Sequence, residues 1–323
     1  MLFGGIYMNK NDAYGVYPTM ITPYKSDGSV DLDTAEKYVR HYFSKGCAGV
    51  FAICQSSEIW KLDLSERIAL NKTVYKVAGE LRKVRGWRFN VVSSGHVGGN
   101  IEEQAYELSK IAETGTDAII LISNRLDIGN EGDDVWLKNA EKLLKLLPED
   151  VNLGVYECPY PYKKLLSQRT LSWCRDTGRF RFMKDTCCDI KTIKERLDIL
   201  RGSDFMLMNA NSQTLLESLR YGACGYSSVM ANFHPELYVW LCDNIKHERA
   251  EEMQQFLGTL AFTEAGLPYP LSAKYNMCLE GIPTENISRV QDSEKLTDYV
   301  KDCVAQMRSL TVSYPKLLGI KGD

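Results

Sequence analysis

Short apolar, β-rich runs alternate with amphipathic stretches along most of the chain. The candidate strands are 15–22, 49–54, 88–94, 117–122, 152–156, 180–184, 204–208 and 223–228. Polar residues, Gly or Pro bound each run, and most lack a clean apolar/polar alternation. Such runs suit parallel strands covered on both faces. Helical periodicity fills the intervals. Helices are expected over 32–45 behind Asp31 and over 101–114 behind Asn100. Both leading residues are suited to accept from free backbone N–H groups, and Gly115 stops the second helix. Further helices are expected over 65–81, 133–147, 190–200, 212–221 and 235–246.

The strand ends recur about every 30 residues. Eight strand–helix units make an α/β fold of the (β/α)8 TIM barrel type. A doubly wound sheet also alternates, but no G-x-G-x-x-G follows the first strand and no Walker A motif occurs. Past residue 247 the strand signals stop. The stretches 249–265, 270–279 and 293–310 read as helices, punctuated by Pro268 and Pro270. The expected organisation is a barrel domain over 12–247 and a C-terminal helical extension over 248–323.

Composition narrows the function. A chain of 323 residues can bury a core without metal or disulfide staples. Lys plus Arg is 39 against Asp plus Glu 42, a net charge of −3, so no strong positive field exists to hold nucleic acid. Residues 1–10 lack the basic start and apolar run of a secretion signal, and no window reaches the roughly 20 apolar residues of a membrane span. A cytoplasmic protein with neither nucleic-acid nor membrane partner is expected. Ten cysteines without a C-x-x-C pair fit a reducing compartment and give no zinc-ligand spacing. Cys47, Cys54 and Cys224 read as small buried hydrophobes.

In such a barrel, chemistry sits at the C-terminal ends of the strands. That rule selects Gln55-Ser56-Ser57-Glu58, His96, Asn124-Arg125, Tyr156-Glu157, Lys184-Asp185-Thr186, Asn209 and Asn211. Lys184 closes an apolar strand, and an apolar setting favours the neutral amine. A neutral amine attacks a carbonyl to form an imine. Tyr156 ends the neighbouring strand, where a phenol can move protons to and from the carbinolamine. The competing readings are a surface lysine and a packing aromatic. Gln55 and Ser56 offer donors to a carboxylate. His96 is a base or a satisfied loop histidine. Glu157 contacts substrate or pairs with Arg125, whose fork suits a carboxylate.

Together these segments resemble the dihydrodipicolinate synthase and N-acetylneuraminate lyase family of class I aldolases. The resemblance runs from about Tyr14 to Leu241. It rests on Gly15 through Thr22-Pro23-Tyr24, Asp27-Gly28 with Val30-Asp31, and Gln55-Ser56-Ser57-Glu58 with Leu64-Ser65-Glu66-Arg67. It continues through Tyr156-Glu157-Cys158-Pro159, Met183-Lys184-Asp185-Thr186, and Gly222-Ala223-Cys224-Gly225 to Ala231-Asn232. The resemblance implies a Schiff base between Lys184 and pyruvate or another 2-oxo acid, with Tyr156 as proton shuttle. It implies that Ser56 and Gln55 hold the carboxylate, and that Ser228 and Asn209 line the pocket. It implies a homodimer or homotetramer, and neither metal nor organic cofactor beyond the covalent imine.

The chain departs from the family pattern in three places. The family's arginine shortly after the Tyr-Asn-x-Pro segment is missing, its position falling near Pro161 in Tyr160-Pro161-Tyr162. The Pro-Tyr-Tyr after the fourth strand is replaced by Ser123-Asn124-Arg125. The Gly-Thr-Thr-Gly-Glu loop has Cys54 and Ser57 for its glycines. These departures disfavour lysine biosynthesis and N-acetylneuraminate cleavage. Arg125, His96 and Glu157 point instead to a sugar-derived or acidic 2-oxo-3-deoxy substrate. The alternatives are a sugar-acid dehydratase on the same scaffold, dihydrodipicolinate synthase itself, or a catalytically silent binding barrel.

Overall fold

The computed structural model describes residues 13–85 and 89–317. The leader 1–10 and Arg88, taken above as the start of a strand, lie outside the described residues. Eight strands run parallel: β1 Gly15–Val16, β2 Gly49–Phe51, β3 Asn90–Ser93, β4 Ala118–Ile122, β5 Leu153–Tyr156, β6 Phe180–Asp185, β7 Met206–Asn209 and β8 Gly225–Tyr226. They hydrogen-bond in the order β1-β8-β7-β6-β5-β4-β3-β2. The seam between β1 and β2 is closed by backbone bonds from Phe51 N to Pro18 O (2.9 Å), Ala48 N to Val16 O (3.0 Å) and Met20 N to Phe51 O (3.0 Å). The result is the expected (β/α)8 barrel.

Helices α1 Leu32–Ser44, α2 Leu64–Arg85, α3 Ile101–Glu113, α4 Asp133–Leu146, α5 Gln168–Asp176, α6 Ile190–Leu200, α7 Leu215–Tyr221 and α8 Pro235–Asp243 lie between and after the strands. Asp31 caps α1 by accepting from Thr34 N (3.1 Å). Asn100 caps α3 by accepting from Glu103 N (2.8 Å). The strands are buried along nearly their whole length, which explains their unbroken apolar character. α5 was not expected from the sequence: it is nine residues long, starts on the Ser167 cap and buries only Thr170, Leu171 and Cys174. A stripe that short falls below the length at which periodicity separates a helix from a loop.

Aromatic side chains fill the barrel. Tyr17, Phe51 and Phe182 meet edge to face, with centroids 5.3 and 6.3 Å from Phe182. The backbone at Gly49 makes room for them, since a Cβ there would sit 2.5 Å from the Tyr17 ring. Tyr156 rests on this plug, 5.6 Å from Phe51.

Beyond the barrel come α9 Ala250–Ala265, α10 Leu271–Leu279 and α11 Asp298–Leu317. The helix expected over 293–310 divides into a short 3-10 turn, Ser293–Lys295, and α11. Among the described residues, no helix is long and apolar enough to cross a membrane.

Candidate active site

The register of β5 and β6 pairs Tyr156 with Lys184 directly. Both side chains are buried, and the Lys184 Nζ lies 4.4 Å from the centre of the Tyr156 ring. Burial holds the Lys184 amine below its ordinary range, favouring the neutral, nucleophilic form. Burial likewise pushes the Tyr156 phenol well above its ordinary range, so it carries its proton. An amine able to attack and a phenol able to donate therefore stand side by side on adjacent strands.

The loop after β2 is tied to its surroundings at each residue. Ser57 Oγ accepts from Cys54 N (3.1 Å), and Ser57 O accepts from Thr22 Oγ1 (2.7 Å). Ser56 Oγ donates to Thr19 Oγ1 (3.0 Å), and the Tyr269 hydroxyl joins the same pair. Asn232 Nδ2 donates to Thr19 O (2.9 Å) and to Tyr269 Oη (3.1 Å). Glu58 ends the loop in the left-handed region, at φ 60°. Its buried carboxylate takes Lys274 Nζ at 3.0 Å on one oxygen. The other oxygen takes Ser288 Oγ (3.0 Å) and Arg289 N (2.6 Å). Glu58 thereby fastens the stretch after α10 against the loop after β2. Arg289 adds a two-toothed pair to Glu66 at 2.6 and 2.7 Å.

These elements enclose a cavity of about 710 Å³. Lys184, Tyr156, Gln55, Ser56 and Ser228 line it, as do Tyr269 and Pro270. Trp60, Tyr160, Lys61 and Lys163 form its more exposed wall, and residues 289–291 complete it. Trp60 and Tyr160 meet edge to face at 5.5 Å.

Four of the residues given a substrate role from the sequence, His96, Arg125, Glu157 and Asn209, do not line the cavity. His96 is fully buried with both ring nitrogens engaged: Nε2 accepts from Ile122 N (2.7 Å) and Nδ1 meets Gln104 Oε1 at 2.9 Å. Burial pushes it down to about 4, so it is neutral and joins β4 to α3. Arg125 donates to Val97 O (3.0 Å) and Gly98 O (2.6 Å), and its guanidinium stands 5.4 Å from the Trp60 ring centre. It therefore supports the cavity wall from behind. Glu157 pairs with Arg196 of α6, at 2.7 and 3.1 Å, instead of Arg125. It also accepts from Leu166 N (2.8 Å) and Thr186 N (3.1 Å). Asn209 donates to Thr214 Oγ1 (3.0 Å) and Ser218 Oγ (2.9 Å), anchoring the turn into α7. In each case partners on a neighbouring helix or loop hold the side chain away from the mouth. Asn124 does similar work, holding the carbonyls of Cys158 (3.0 Å) and Tyr162 (2.6 Å).

Sequence reasoning missed Tyr269, Trp60, Lys163 and the 289–291 segment. The one available signal was the aromatic between Pro268 and Pro270, where the extension was already punctuated.

The model of the dihydrodipicolinate synthetase family matches residues 12–124 and 148–307. A 4-hydroxy-tetrahydrodipicolinate synthase of Haloarcula marismortui is 25% identical over 313 residues, covering 94% of this chain and 96% of its own. A sialic acid aldolase of Ruminococcus gnavus, solved as a catalytic lysine mutant, superimposes with a TM-score of 0.82 at 17% identity, covering 95% and 99% of the two chains. A dihydrodipicolinate synthase of Acinetobacter baumannii, solved with pyruvate, gives 0.81 at 18% identity, covering 93% and 99%. The chain belongs to the dihydrodipicolinate synthetase family, and it is an enzyme of the class I aldolase type, a lyase.

Proposed function

We propose that this enzyme cleaves or builds a 2-oxo acid through a Schiff base on Lys184, with a pyruvate-type donor. The observation that carries the reading is the buried amine of Lys184 beside the Tyr156 phenol in one cavity. The amine adds to the C2 carbonyl. Tyr156 gives a proton to the departing hydroxyl, and water leaves. The resulting iminium draws electrons from the neighbouring bond, which is the electron sink that makes a separate cofactor unnecessary. Ser56 and Gln55 hold the carboxylate, and Ser228 lies against the donor.

The far end of the substrate meets a cationic wall. Glu58 is committed to Lys274, and Arg289 to Glu66. Lys61 and Lys163 remain exposed at the cavity, with Lys163 Nζ donating to Thr186 O at 2.8 Å. A substrate with a second acidic or polyhydroxylated end, such as a sugar-derived 2-oxo-3-deoxy acid, fits this charge. These lysines take the part that the sequence gave to Arg125. Synthesis of 4-hydroxy-tetrahydrodipicolinate is the second reading, favoured by the near full-length match to relatives of that name.

Borohydride reduction in the presence of pyruvate, followed by peptide mass mapping, tests the proposal. A reduced adduct on Lys184 is expected. A folded protein that gives none with pyruvate or longer 2-oxo acids overturns it. Product analysis then separates cleavage to pyruvate and an aldehyde from dehydration and from 4-hydroxy-tetrahydrodipicolinate. A homodimer or homotetramer is proposed on family resemblance, and light scattering decides it.

A further inference from the structure

We propose that the Cys158 thiol is a positioning residue that lends a proton to Tyr156, completing a chain from Tyr156 through Cys158 to Gln55. The inference rests on the imine chemistry above. Cys158 is fully buried and follows Tyr156 by two residues. Its backbone N–H bonds back to Tyr156 O at 2.9 Å, and Asn124 Nδ2 holds its carbonyl at 3.0 Å. This fold-back sets the thiol close enough to the phenol for each to shift the other. On its other side the thiol donates to Gln55 Oε1 at 3.3 Å. Gln55 and Tyr156 both line the cavity, so the thiol bridges two walls of the site.

The chemistry of the pair sets the direction of transfer. Burial raises both groups, the thiol to about 11, and a phenol is ordinarily the weaker acid of the two. A phenolate formed in this setting is the stronger base and takes the thiol proton. In carbinolamine dehydration, the C2–OH bond breaks and Tyr156 donates its proton to the leaving hydroxyl. The nitrogen lone pair forms the C=N bond, and Cys158 reprotonates Tyr156. The negative charge then rests on sulfur, opposite the new iminium on Lys184. Loss of a C3 proton gives the enamine and returns that proton to the pair, so protons and charge balance.

Exchange of the pyruvate methyl protons in D2O, followed by NMR, needs no second substrate. It is measured across pH for wild type, Cys158→Ala and Cys158→Ser, beside melting temperatures and the Lys184 trapping rate. Cys158→Ala and the near-isosteric Cys158→Ser are both expected to slow exchange and trapping by about tenfold, since a serine hydroxyl is a weaker acid than the phenol and has no proton to lend it. The alkaline limb of the wild-type pH profile should disappear in Cys158→Ser, a change that loss of packing alone does not produce. Exchange by Cys158→Ala at the wild-type rate overturns the inference. So does a folded Cys158→Ser that exchanges at the wild-type rate. A folded wild-type protein without a Lys184 adduct overturns instead the imine reading beneath it.

Discussion

Arg196→Met tests the ion cluster that underlies the reactive pair. Arg196 of α6 is buried between Glu157, which follows Tyr156, and Asp185, which follows Lys184. It donates to both oxygens of Glu157, to Asp185 and to Leu166 O (2.9 Å). Methionine keeps much of the volume and removes every one of these donors, leaving two buried carboxylates on adjacent strands. Breaking one buried pair costs about 3–5 kcal/mol, and a shared guanidinium belongs at the upper end. At an m-value of about 3 kcal/mol per molar, the urea midpoint should fall by roughly 1 to 1.7 M at pH 7. The effect should depend on pH. Burial already raises Glu157 above 4.5, with Arg196 pulling the other way and Asp185 adding to the rise. Without Arg196 the folded carboxyl holds its proton more tightly still, while the unfolded value is unchanged. The deficit is therefore largest at neutral pH and shrinks as pH falls toward 4.5. Arg196→Lys restores the charge without the fork and should fall between the two. Equilibrium urea unfolding by circular dichroism at pH 7 and pH 5 supplies the comparison. A Met variant within about 0.5 kcal/mol of wild type at pH 7, or one whose deficit grows on acidification, refutes the reasoning.

Further outcomes follow from the same geometry. Because burial lowers the Lys184 amine, the trapping rate should rise with pH and level off below the 10.5 of an ordinary lysine, which a rate profile from pH 6 to 10 reads directly. Lys163→Ala should raise KM for an acidic aldehyde by about five- to tenfold, with kcat within about twofold, as loss of one exposed cation predicts. The matching neutral aldehyde serves as the control. Arg125→Ala should leave both kinetic constants near wild type while lowering stability by about 1 kcal/mol, since its bonds go to Val97 and Gly98. A large rise in KM on that change would return Arg125 to the substrate.

The sequence reaches the barrel because its signal is repeated eight times. Asp31 and Asn100 announce α1 and α3, and the apolar runs of β5 and β6 stop at or beside Tyr156 and Lys184. The rule that strand ends carry chemistry is less discriminating. His96 and Glu157 occupy the same kind of position as Lys184, and only the partners differ: Gln104 from α3 and Arg196 from α6 satisfy them. Such partners lie 8 and 39 residues away, and no local pattern links them. Tyr269 and Arg289 escape notice for a related reason. Their place in the cavity depends on bonds to Asn232 and Glu58 across tens to hundreds of residues.

The fastening of the 287–291 stretch by Glu58 and Glu66 has a consequence for how this enzyme can diversify. Lys184 and Tyr156 belong to the barrel, whereas part of the cavity wall, residues 289–291, comes from the tail. Exchange of the tail alone changes part of the cavity wall while leaving Lys184 and Tyr156 untouched, provided donors to Glu58 are kept. In this architecture Lys184 and Tyr156 sit on the barrel alone, whereas the cavity wall is shared between barrel loops and a tail that buried polar contacts hold in place.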